Sequence, residues 1–174
     1  GYVETRHGIG TFVKEHSIEQ NFLLSNASLE TINDIVALLE LRISLESEAV
    51  FLASERRKQV HIDQMKAALN DFEMHISSGE NDGTVKADYD FHIAIAEASA
   101  NQYFVDFLKY LGEKIIPRAR VKSIEQSPEN REEYLKAVHH DHVNIFNAIV
   151  DQDGLLARQM MRAHLSKSIK KFKQ

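Results

Sequence analysis

The sequence predicts an all-α fold, an antiparallel bundle of six to seven helices, preceded by a short β-hairpin. Three observations predict it. From Ser28 onward, apolar residues recur three and four apart in long runs, the period of helices buried on one face. Two prolines and seven glycines in 174 residues leave those runs almost unbroken. Only residues 1–14 depart from the pattern, with β-prone runs on either side of a glycine-containing turn.

In chain order, Tyr2-Val3-Glu4-Thr5 and Thr11-Phe12-Val13 are the two β-prone runs, and Arg6-His7-Gly8-Ile9-Gly10 joins them. A lone hairpin is marginal in water, so residues 1–14 are expected to belong to a larger unit. The chain starts at Gly1 without an initiator Met, and its true N-terminus is expected to be missing. Residues 15–27 are polar and mixed, and read as a linker to a helical domain over 28–174.

Ser28 is placed to cap the first helix, along which Leu29, Ile32, Ile35, Val36, Leu39, Ile43, Leu45, Val50 and Ala53 recur. A second helix from Gln59 to Ser77 turns Ile62, Met65, Leu69, Phe72 and Ile76 inward. Residues 77–83 are a loop by composition. The third helix spans Val85 to Ser99. The fourth starts near Asn101 and carries Phe104, Phe107, Leu108, Leu111 and Ile115, with Pro117 ending or kinking it. Ser127-Pro128 reads as a cap followed by proline at the first helical position. That fifth helix runs to about Val150. Asp151-Gln152-Asp153-Gly154 breaks the chain, and Asp153 caps a sixth helix whose end is rich in lysine.

The bulk properties narrow the function. No apolar run reaches the roughly 18–20 residues of a membrane span, and no signal-peptide core is present at the start, so no membrane partner is expected. A net charge of −5 argues against this piece gripping a phosphate backbone by itself. The absence of cysteine excludes disulfides and thiolate metal sites and suits the cytoplasm, where the chain is expected. Any metal here takes nitrogen and oxygen ligands.

Asp88-Tyr89-Asp90-Phe91-His92 is the stretch with the sharpest chemistry. Positions four apart share a helix face, so Asp88 and His92 point the same way while Asp90 faces elsewhere. Such a pair can chelate one cation if other helices supply further ligands. His142 and His164 are the candidates, from separate helices. His139 and His140 compete with His142; Ile145 and Ile149 continue the face of His142 inward, which favours it. Asp141 is then a flanking residue able to support a ligand. His16, His61 and His75 read as solvated surface residues. Arg42 and Glu46, four apart, suit an intrahelical ion pair worth tenths of a kcal/mol. Asn101 suits a helix cap.

Taken together, hairpin and bundle resemble the GntR superfamily of bacterial transcription regulators, FadR subfamily. Residues 1–13 resemble the wing that ends that family's winged helix-turn-helix domain, and the rest is similar to its all-helical FCD-type effector domain. The matching pieces are Leu41-Arg42 followed by Glu46, Asp88-x3-His92, Ala98-Ser99-x-Asn101, His142-x2-Ile145 and Met161-Arg162-Ala163-His164-Leu165. The part of the DNA-reading domain that precedes the wing is absent from this sequence.

The resemblance implies a metal site of Asp88, His92, His142 and His164. Three imidazoles and a carboxylate suit one divalent transition metal, Zn²⁺, Ni²⁺, Mn²⁺ or Fe²⁺. It implies a small carboxylate effector, an organic or sugar acid, taking the open positions of an octahedral ion. Arg42 would then grip the effector's carboxylate, for which a guanidinium fork is suited, and Asn101 would hydrogen-bond it. Arg6 and His7 of the wing would touch DNA, which the intact protein would bind through its N-terminal domain. A homodimer is expected, because winged-helix regulators read paired half-sites. Two other readings stand beside the sensor: a mononuclear metalloenzyme using the same three histidines and aspartate, and a helical dimer with a purely structural metal.

Overall fold

The computed structural model describes residues 3–8, 10–13, 31–112, 116 and 128–172. The chain divides into two compact units, residues 1–31 and 32–174. The expected cap Ser28, Leu29, the linker over 15–27 and His16 lie outside the described residues, as do Ile115, Pro117, Ser127 and Lys173.

In the first unit, β1 (Val3–Arg6) pairs antiparallel with β2 (Gly10–Val13), Val3 opposite Val13 and Arg6 opposite Gly10. Gly8 in the connection has φ 80°, a left-handed conformation that glycine adopts without steric cost. His7 beside it is exposed.

The second unit holds six helices among the described residues: α1 (Ile32–Arg56), α2 (Gln59–Ser78), α3 (Asn81–Ala98), α4 (Gln102–Leu111), α5 (Pro128–Val150) and α6 (Gly154–Phe172). α1, 25 residues and about 37 Å long at 1.5 Å per residue, packs along α6 and against α3. α2 packs against α3 and α5, and α5 against α6. The main core gathers Leu39, Ile43 and Val50 of α1, Met65 of α2, Phe91 and Ile95 of α3, Ile145 and Ile149 of α5, and Met161 and Leu165 of α6. These residues recur at helical spacing in each run, so one apolar stripe per helix closes the bundle. A smaller cluster of Phe72, Ala87, Leu135 and Val138 adjoins α2, α3 and α5.

Three boundaries differ from the sequence expectation. Residues 77–83 are not a loop, because α2 continues to Ser78 and α3 begins at Asn81. Gly79 makes the turn in the left-handed conformation, φ 74°. Gly83 lies in the first turn of α3, where a Cβ would stand 2.4 Å from the His75 ring, so it marks close approach of two helices and not a break. α4 stops at Leu111, with Gly112 at φ 61°, ahead of Pro117.

The polar ends follow the chemistry expected of them. Asp153 Oδ1 accepts the Leu156 N–H at 2.9 Å and caps α6. Asn101 Oδ1 accepts the Tyr103 N–H at 3.1 Å and caps α4. Two histidines read as solvated are instead half-buried. His61 Nδ1 accepts the Lys58 N–H at the start of α2, and His75 pairs with Glu80 at 3.0 Å across the α2–α3 turn.

Candidate metal and effector site

Four helices each turn polar side chains into the centre of the bundle. α1 supplies Arg42 and Glu46, α3 Asp88 and His92, α5 His142 and α6 His164, all buried. The local reason is the same in each case. Every one of these residues occupies a core position of the helical period, next to Ile43, Phe91, Ile145 or Leu165, so packing of the apolar stripe carries it inward.

His142 and His164, 22 residues apart, place their Nε2 atoms 3.3 Å from each other. Asp88 Oδ1 lies 3.3 Å from His92 Nε2 and 3.7 Å from His142 Nε2. One nitrogen from each of the three rings falls within 4.8 Å of the other two. Donors held about 2.1 Å from a single ion stand roughly 3–3.4 Å apart when they occupy neighbouring positions, a range that the two 3.3 Å separations meet and the 3.7 Å one slightly exceeds. Among the described residues, buried His92 Nε2 makes no well-aligned hydrogen bond; Asp88 Oδ1 lies 3.3 Å from it.

The outer nitrogens are held from behind. His92 Nδ1 bonds Glu46 Oε2. His164 Nδ1 lies 3.6 Å from Asp141 Oδ2, and Lys167 Nζ donates to both oxygens of that carboxylate at 2.7 and 2.9 Å. Asp141 thus flanks His164 across the helix pair, although it neighbours His142 in sequence. The His142 ring stacks on Phe91 at 4.7 Å and meets Phe72 edge-on at 5.6 Å. Burial pushes the His164 imidazole below its usual range, against the raising effect of Asp141. That favours the neutral ring a metal needs.

The competing histidines are elsewhere. His139 Nε2 bonds the Leu69 carbonyl at 3.2 Å and its ring stacks on Phe72, while His140 is exposed. Asp90 pairs with Lys86 on the outer face of α3.

Arg42 makes the intrahelical ion pair with Glu46 and borders the site as well. Its Nε donates to Glu46 Oε1 at 2.5 Å, and both side chains are nearly fully buried. Arg42 also lines a small cavity of about 10 Å³ with Asp88, His164, Ile116 and Tyr134. Asn101 instead lines an open surface depression of about 420 Å³ with Gln64, Glu97 and Lys109. The contact that sequence reasoning missed is Glu46 to His92. Spacing along α1 pairs Glu46 with Arg42, and no local pattern reports that α3 passes across it.

The FCD domain family matches residues 37–167. The HTH-type transcriptional regulator LutR of Bacillus subtilis is 31% identical over 176 residues, covering 95% of this chain and 75% of that protein. The Uxu operon transcriptional regulator of Escherichia coli is 29% identical over 168 residues, covering 95% of this chain and 64% of that protein. Among solved structures, E. coli McbR/YncC superposes with a TM-score of 0.70 at 14% identity, over 99% of this chain and 77% of that one. Streptococcus agalactiae GntR gives 0.67 at 19% identity, over 98% and 75%. At such identities the structural likeness speaks for the fold.

Proposed function

This chain belongs to the FCD-domain family of GntR-type transcription regulators, FadR-like and not enzymes, and we propose that its helical unit senses a small organic or sugar acid at a divalent metal ion. The observation that carries this reading is the convergence of His92, His142 and His164 nitrogens beside Asp88 and next to a buried guanidinium. The four residues would hold Zn²⁺, Ni²⁺, Mn²⁺ or Fe²⁺, and the ion would supply positive charge with open positions for a carboxylate. Arg42 would take the other end of that carboxylate through its fork. Asn101 caps α4 and lines a depression that shares no residue with the cavity beside Arg42.

The cavity beside Arg42 has room for about one water. An acid therefore enters only as Ile116, Tyr134 or Val138 gives way, and ligand entry and a shift of the helical lining are one event. A ligand that fits one arrangement better than the other biases the equilibrium between them, which is what a regulator requires. In this reading the protein acts as a cytoplasmic homodimer whose wing, through Arg6 and His7, meets DNA.

The small cavity also favours a second reading, a purely structural metal. Thermal melts of the metal-loaded chain against a panel of hydroxy and sugar acids separate the two. The sensor raises its melting temperature with one acid class, more so as concentration grows. A melt indifferent to every acid at millimolar concentration leaves the structural metal.

A further inference from the structure

Glu46 joins the two halves of the site. Its Oε1 accepts the Arg42 Nε–H at 2.5 Å and its Oε2 bonds His92 Nδ1, all within the closed core. With the Arg42 guanidinium on one arm, Glu46 is placed as a carboxylate that accepts on both. The nitrogen facing it must be the donor. With an ion on Nε2, the His92 ring would carry its proton on Nδ1, and Nε2 is the atom 3.3 Å from Asp88 Oδ1.

We propose that Glu46 is a positioning residue for the metal site, orienting His92 through Nδ1 while anchored by Arg42. The proposal rests on the metal reading above. It adds a residue that would touch no ion, and it ties the guanidinium proposed to hold the acid to an imidazole proposed to hold the metal. Outer partners of this kind fix ring orientation and raise ligand basicity. Asp141 stands in a similar relation to His164, but at 3.6 Å and shared with Lys167. The closed, two-armed bond of Glu46 gives it the stronger hold.

The test compares the 174-residue chain with Glu46→Gln, using zinc ion alone as the probe. Two quantities are read: zinc affinity by competition with a chelator, and the proton resonance of the His92 ring N–H in the zinc-loaded protein. Glu46→Gln is expected to lower zinc affinity about 10–100-fold. It is also expected to move the ring N–H resonance upfield, because an amide oxygen accepts more weakly than a carboxylate. Unchanged affinity in the folded variant overturns the role of Glu46. Lowered affinity with an unmoved resonance also overturns it, since a merely structural residue would act that way. If circular dichroism shows that Glu46→Gln does not fold, Glu46→Asp carries the same test. It keeps the charge but withdraws it by one methylene, and unchanged affinity there overturns the proposal. A wild-type chain that takes up no zinc removes the metal reading itself, an outcome distinct from a wild type that binds zinc no better than the variant.

Discussion

His142 Nε2 and His164 Nε2 stand 3.3 Å apart on α5 and α6, each ring buried. Two imidazoles whose lone-pair positions face each other need either a shared proton or a shared cation. The aspartate and third histidine beside them favour the cation. His164→Ala is accordingly expected to reduce metal content well below one per chain after gel filtration. A variant that keeps a full equivalent of metal, measured by mass spectrometry, contradicts the four-residue site.

Arg42 is expected to serve the acid directly and the ion only through Glu46. Arg42→Lys keeps a positive charge near Glu46 but loses the fork, so acid affinity should fall at least about tenfold while metal content stays near wild type. Arg42→Ala is the harsher change. It leaves the Glu46 carboxylate buried with only the His92 ring to pair it, at a cost of about 3–5 kcal/mol, readable as a lower denaturant midpoint. Unchanged acid affinity in Arg42→Lys returns Arg42 to a purely structural ion pair.

Metal removal should loosen the bundle, because the site joins α3, α5 and α6. Dialysis against a chelator is expected to lower the melting temperature, with recovery on adding one equivalent of metal. Acid should release the ion for the same reason a chelator does, since protons compete for the imidazoles. A melt that is the same with and without chelator speaks against a bound ion.

Gly154 begins α6 against α1, where a Cβ would stand 2.7 Å from Ser54 Oγ and 2.8 Å from Phe51 Cδ2. Gly154→Ala is expected to destabilise by about 1–3 kcal/mol through overpacking. Equilibrium denaturation measures it, and an unchanged midpoint would mean that the two helices are not held so close.

Gln152 sits two residues earlier at φ 60°, a left-handed conformation that costs a side-chain-bearing residue about 1–2 kcal/mol. Its side chain is exposed. Gln152→Gly is expected to stabilise by a net of about 0.5–1 kcal/mol once the extra freedom of glycine in the unfolded chain is deducted. A destabilised variant would show that the Gln152 side chain contributes more than its exposure suggests.

The helices were legible because their apolar residues follow one period, and the aspartate–histidine pair of α3 because four residues make one helical step. Residues 77–83 were not, because Ser, Gly, Asn and Asp signal a turn by composition wherever it lies. Only Gly79 and Glu80 actually separate the helices, and Gly83 serves a close contact with His75. Local spacing could nominate His142 and His164 but could not bring them together. That required α5 and α6 to pack, which is a property of the whole core. The same limit hid Glu46. Its bond to Arg42 is local, whereas its bond to His92 crosses 46 residues of sequence.

Metal stoichiometry of the untagged, purified chain tests the central claim most directly. One equivalent of a divalent transition metal per chain is expected, lost in His164→Ala and retained in Arg42→Lys. A chain that holds no metal as purified, and takes none up from zinc, nickel, manganese or iron(II), would contradict the site.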